Sequence, residues 1–290
     1  FLMILTAVSF VLLPKLPALH TWEVEAREER IAEEEFAQSQ VTMQNLKIKE
    51  QNEAAGAKGE LSIRLPEGVT GDQIAVSNDY VTQTIRVEIP QADRTYFDSY
   101  PVLGNSDYID GLSYTRQGET GVIEVTTNKV YELQTEYDTQ NFYFNFLTPH
   151  EVYDKVVVID AGHGGRAVGA NKQGINEKDI DLAIVLKLKE IFDNSDQNIG
   201  VYYTRTDDSN PTFDQRVQLA NKSDADLFIS IHNNSTRSGR MSGTSGTQVM
   251  YDETSEASRQ FAQICLEEVT GRIGSRDKGL VEGDSIYIIR

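Results

Sequence analysis

The C-terminal half of the sequence predicts an α/β fold with a mostly parallel sheet flanked by helices, preceded by a small antiparallel β domain. Three observations carry this. Lys155 to Asp160 is a continuous run rich in β-branched residues, the pattern of a strand buried on both faces. Helix-like and strand-like segments alternate after it, as in α/β folds. Upstream, apolar residues follow period two instead: Ile85, Val87 and Ile89 alternate with Arg86 and Glu88, as in half-buried strands.

Taken in order, the chain opens on an almost wholly apolar run, Phe1 to Leu13, that ends at Pro14. This is shorter than the ~20 residues needed to span a bilayer, so residues 1–20 are expected to be the remnant of a signal sequence or membrane anchor. Composition then shifts to Glu, Gln, Ala and Lys. Ile31, Phe36, Met43 and Leu46 give only a broken helical stripe, so residues 21–59 read as an acidic linker or stalk. An exposed helix or a flexible tether with solvated charges is expected there. Residues 60–150 form a β-rich module, with alternation again at Val122 to Val125 and an aromatic run at Phe142 to Phe146. Turn-forming stretches at Pro66 to Gly68, Gly104 to Ser106 and Gln117 to Gly121 separate its strands.

Residues 151–290 carry the α/β pattern. A helix is expected from Glu177 to Phe192, with Ile180, Ala183, Ile184, Leu188 and Ile191 on its inner side. Further strands are expected at Gly200 to Thr204, Asp226 to Ile231 and Thr247 to Tyr251, and helices at Phe213 to Asn221 and Glu256 to Ile273. In the last helix Phe261, Ile264, Cys265 and Val269 recur at helical spacing, which makes the lone cysteine a core residue and rules out an intrachain disulfide.

The formal charge of −18 argues against nucleic acid as a partner, because phosphate binding needs clustered Lys and Arg. With 39% apolar and 25% charged residues, the chain has the balance of a soluble globular protein, and its membrane contact is expected only through the N-terminal apolar segment.

The chemistry concentrates on two of the four histidines. His163 and His232 each stand just beyond a predicted buried strand, and in open α/β sheets ligands bind outside the carboxyl ends of the strands. His163 lies in Asp160-Ala161-Gly162-His163-Gly164-Gly165, whose glycines allow close backbone approach. Glu177 is the third candidate: Asn176 reads as a helix N-cap, which puts this carboxylate in the first turn near the same sheet edge. Acidic residues also favour that position for dipole reasons alone. Two imidazoles and one carboxylate are a ligand set used by catalytic zinc, which keeps a fourth position for water.

Five ordered segments carry a resemblance. They are Val156 through Gly165, then Asn176-Glu177-Lys178-Asp179, then Thr204-Arg205, then Arg216 through Ala220-Asn221, then Ala225 through Asn234. Residues about 154 to 290 resemble the zinc-dependent N-acetylmuramoyl-L-alanine amidases of the amidase-3 type. The resemblance implies zinc held by His163, Glu177 and His232, peptidoglycan as substrate, and hydrolysis of the amide bond between N-acetylmuramic acid and L-alanine. It also implies an extracytoplasmic place at the cell envelope, and a second essential glutamate that matches no segment here and is expected beyond Arg290, leaving the amidase region incomplete. Arg205 and Arg216 are expected to be structural, whereas Asn233 and Asn234 are offered as substrate contacts. The β module loosely resembles the envelope-targeting modules that accompany such enzymes. Two alternatives stay open: a zinc hydrolase of another peptide or amide, and a non-catalytic wall-binding or regulatory protein.

Overall fold

The computed structural model describes residues 17–50, 58–233, 243, 245–283 and 285–289. The apolar run 1–13, expected to be an anchor remnant, lies outside them. No helix among the described residues is long and apolar enough to cross a membrane. The first element is a helix, α1 (Pro17–Ser39).

Two five-stranded sheets follow. One runs in the order Gln44–Asn45, Ile109–Gln117, Thr120–Thr127, Thr84–Pro90, Ala75–Asp79 and is antiparallel throughout. The other runs Lys49–Glu50, Leu103–Gly104, Leu61–Arg64, Asn141–Leu147, Glu132–Tyr137. It is mixed rather than antiparallel, because Lys49–Glu50 pairs in parallel with Leu103–Gly104. Alternation fixes the inner faces: Ile85, Val87 and Ile89 from one sheet meet Leu61, Ile63, Phe142, Phe144 and Phe146 from the other in a single core.

In the C-terminal region the central strand is β1 (Lys155–Ala161), flanked in parallel by β2 (Ile199–Tyr203) and β3 (Leu227–Ile231). The helices are α2 (Glu177–Asp193), α3 (Phe213–Lys222) and α4 (Glu256–Ile273). A separate parallel pair joins β4 (Thr247–Tyr251) to β5 (Asp277–Glu282). Asn171–Lys172 and Ile175–Asn176 form an antiparallel ribbon, reversed at Gln173 and Gly174, which both take positive φ (54° and 79°), as a two-residue hairpin requires. The fold is therefore mixed α/β. In residues 151–290 the pairs around β1 and between β4 and β5 are parallel and the ribbon at 171–176 is antiparallel, while the sheets of the preceding region are antiparallel and mixed.

β1 is buried on both faces, as its composition demands. Val157, Ile159 and Ala161 pack with Val185 and Leu188 of α2 and with Ala262, Cys265 and Leu266 of α4. Val156 and Val158 pack with Tyr202, with Leu219 of α3 and with Val130 from the β region. That second face ties the regions together: Tyr202 donates to Glu132 (2.6 Å), Val130 N–H donates to Lys222 O (3.0 Å), and Tyr80 meets the Tyr202 ring edge-on at 4.9 Å. Cys265 is buried, and burial pushes its thiol up to about 12.

Two faces differ from expectation. Ile264 is 57% exposed, because Cys265 and Val269 already define the inner stripe of α4. On α2 the buried stripe is Glu177, Lys178, Asp181, Val185 and Leu188, while Ile180 and Ile191 face solvent. The helix is rotated so that its first turns deliver carboxylates inward rather than aliphatic side chains.

Candidate metal centre

The site is built at the carboxyl edge of β1 and β3. His163 follows β1 with φ at 59°, in the left-handed region that costs a non-glycine residue energy and needs surrounding support. Two buried guanidiniums give that support. Arg205 donates to the carbonyls of Ala161 (3.0 Å), Gly162 (2.7 Å) and Lys178 (2.9 Å). Arg216 pairs with Asp160 and donates to Ala161 O (2.8 Å) and His163 O (2.8 Å). Neither guanidinium is exposed, so the expected structural role has its physical form: both arginines clamp the strand end that presents His163.

Asp160 anchors this clamp. Its carboxylate also accepts from Thr204 (2.6 Å) and Ser230 (2.6 Å). Burial alone would raise its pKa, but Arg216 and the two hydroxyls outweigh that and hold it down at about 2.

Around this scaffold three side chains from three elements converge. His163 Nε2 lies 3.2 Å from Glu177 Oε1 and 3.2 Å from His232 Nδ1, and the last two lie 3.2 Å apart. These three atoms make an equilateral triangle. Ligands at 2.0–2.1 Å from a tetrahedral ion are separated by roughly 3.3–3.4 Å, so the triangle has the size of one tetrahedral face. Glu177 is fixed from behind: its Oε2 accepts Ala170 N–H (2.8 Å) and its Oε1 accepts Asn233 N–H (2.9 Å). Asn176 is the N-cap residue as expected, although its side chain donates to Asp179 (2.9 Å) and makes no capping bond to the helix backbone.

The charges fit a cation. Burial opposes an imidazolium at His163, yet Glu177 and Glu28 outweigh it and raise the ring to about 10. Burial likewise opposes a Glu177 carboxylate, yet both imidazoles outweigh it and hold the group below the usual range.

A fourth group, absent from the residues expected at the site, joins the cluster. Asp181 lies one turn after Glu177 on the same face of α2, and an atom of each of His163, Glu177, Asp181 and His232 falls within 4.8 Å of the others. Its Oδ1 accepts from Asn233 Nδ2 (2.7 Å), its Oδ2 has no partner among the described residues, and burial raises its pKa to about 7. The i, i+4 spacing from Glu177 was the available signal. One N–H of the Asn233 side-chain amide is thus given to Asp181. Asn234 lies outside the described residues. His150 is remote from the cluster, its Nε2 2.8 Å from Asp224 O.

The glycines of the site loop serve the ligands themselves. A Cβ on Gly162 would stand 2.3 Å from His232 Cε1, and one on Gly169 would stand 2.5 Å from the His163 ring. Gly162→Ala should therefore push His232 out of the triangle. The expected result is loss of metal binding with the fold retained, measured by metal titration alongside circular dichroism.

Fold and cluster together define an α/β domain with a potential metal-binding group at the carboxyl edge of its central strands. Within that class, residues 157–290 match the family model described as N-acetylmuramoyl-L-alanine amidase. The segment agrees closely with the one that carries the motif resemblance.

Among relatives, the chain is 38% identical over 141 residues to the uncharacterized protein YqiI of Bacillus subtilis, covering 47% of this chain and 63% of that one. It is 33% identical over 123 residues to the N-acetylmuramoyl-L-alanine amidase CwlM of Bacillus licheniformis, covering 42% and 47%. The catalytic domain of the amidase CwlV from Paenibacillus polymyxa aligns at 35% identity over 47% of this chain and 73% of that chain, with a TM-score of 0.42. The chain spans less than two thirds of the length of these two curated relatives.

Proposed function

We propose that the protein is a zinc-dependent N-acetylmuramoyl-L-alanine amidase that hydrolyses the bond between N-acetylmuramic acid and L-alanine in peptidoglycan. The observation that carries this reading is the 3.2 Å triangle of His163, Glu177 and His232 inside the family-matched segment. In it these three residues hold zinc. When bound, zinc lowers the pKa of a water and polarises the scissile carbonyl. The protein's own groups do the rest: Arg205 and Arg216 keep the His163 loop rigid, Glu177 is oriented by two backbone N–H donors, and Asp181 steadies Asn233 beside His232. Such preorganisation matters because a misplacement of about 1 Å can cost on the order of 10²-fold in rate.

The same reading places the activity outside the cytoplasm, at the cell envelope. It takes residues 60–150 as a targeting module and the N-terminal apolar run as the link to membrane or export. The names of the relatives support it.

The test is product analysis on purified peptidoglycan with the zinc-loaded chain. New L-alanine amino termini are expected, absent after chelation and restored by zinc. New reducing sugar ends, or release of free peptides without those termini, would refute the amidase assignment.

A further inference from the structure

The acidic N-terminal helix, read from sequence as a solvated stalk, is docked on the metal centre. Its contacts run along one face. Glu29 Oε2 accepts Phe213 N–H (2.6 Å), and Glu35 accepts from Arg166 N–H (2.9 Å) and from Asn210 Nδ2 (3.1 Å). Glu34 pairs with the Arg166 guanidinium at 3.0 Å. Between them Ala32 is 2% exposed, so the helix backbone approaches closely at that point. Glu28, Ala32 and Glu35 are spaced i, i+4, i+7, which puts them on a common stripe.

The end of this stripe reaches His163. Glu28 Oε1 lies 3.1 Å from His163 Nδ1, with both side chains largely buried at 21% and 10% exposure. The approach is oblique to the ring N–H direction, and Nδ1 has no aligned hydrogen-bond partner among the described residues. The ring is thus divided: Nε2 faces Glu177 and His232, while Nδ1 faces Glu28. A carboxylate on the outer nitrogen of a metal-binding imidazole fixes the tautomer, holds the ring plane and raises its basicity. Glu28 stands on the far side of the ring from the other two ligands, so it is not placed to be a ligand itself.

We propose that Glu28 is the positioning carboxylate of His163, so that α1 is a working part of the metal centre rather than a tether. This rests on the zinc reading above. In it the negative charge of Glu28 beside Nδ1 favours a proton on that nitrogen and leaves Nε2 for the metal. The docking contacts of Glu29 and Glu35 then serve to bring Glu28 to the ring. A consequence is that undocking α1 would weaken metal binding in the distant C-terminal region.

The test uses the full chain and measures zinc affinity by chelator competition, with thermal unfolding of the metal-free protein as a fold control. Glu28→Gln should weaken zinc binding by about 10-fold or more, the range for outer partners of ligating histidines. Glu28→Asp should recover part of the loss. Glu34→Gln removes an exposed ion pair that does not touch His163 and should leave affinity within about 2-fold. Unchanged or tighter zinc binding in Glu28→Gln would overturn the proposal, as would equal losses in Glu28→Gln and Glu34→Gln. If the unaltered chain bound no zinc, the metal reading itself would fall, a result distinct from an unaffected Glu28 variant.

Discussion

Arg216→Met is expected to destabilise the protein by about 3–5 kcal/mol, because it strands the buried Asp160 carboxylate without its cation. The substitution keeps much of the side-chain volume and removes the pair, along with the donors to Ala161 O and His163 O. Equilibrium unfolding of both forms checks it. The pH dependence sharpens the prediction. In the unaltered protein Asp160 titrates at about 2 against an unperturbed 3.8. Its contribution to stability is therefore fully present above pH 3.8 and is lost as pH falls toward 2. Without Arg216, burial dominates and raises the Asp160 pKa, so the variant loses stability as pH rises above 3.8. The gap between the two forms should be widest at neutral pH and narrow below pH 4. A gap under about 1 kcal/mol at pH 7 would show that the clamp contributes little.

Glu177→Gln should have the largest effect on metal binding while sparing the fold. The amide keeps the size of the side chain and an acceptor for Ala170 or Asn233, but it removes the negative charge between two imidazoles. Zinc affinity should fall by more than about 100-fold, since outer partners alone are worth 10–100-fold. The His163 ring should also lose much of its elevation toward 10, because Glu177 is among the groups that raise it. Isothermal titration for zinc and NMR titration of the metal-free histidines measure the two effects separately.

Much of this arrangement was legible in the sequence, and the residues show why. β4 and α4 occupy the spans their periodicity indicates, Thr247–Tyr251 and Glu256–Ile273, because short apolar runs and helical stripes report burial directly. His163 and His232 could be paired because each follows a strand whose composition marks it as central, and parallel neighbours bring their carboxyl ends together.

What escaped was burial driven by charge. On α2 an apolar stripe was expected to face inward, but the site draws Glu177 and Asp181 in and turns Ile180 and Ile191 out. On α1 a run of glutamates looks solvated by composition, yet Glu28, Glu29 and Glu35 find His163, a helix N-terminus and Arg166 across the chain. Such partners are set by tertiary placement, which local pattern does not encode. Asn233 shows the same limit: its place next to His232 in the sequence does not reveal the bond it makes to Asp181.

His163, Glu177 and His232 are expected to hold one zinc ion together. X-ray absorption at the zinc edge, on the full chain loaded with one equivalent, tests this most directly. The expected spectrum shows a first shell of nitrogen and oxygen only, at about 2.0–2.2 Å, with the outer-ring scattering of two imidazoles. In His163→Ala one imidazole should disappear from the shell and the bound fraction should drop. A shell containing sulfur, or one with no imidazole scattering, or a spectrum unchanged in His163→Ala, would contradict it.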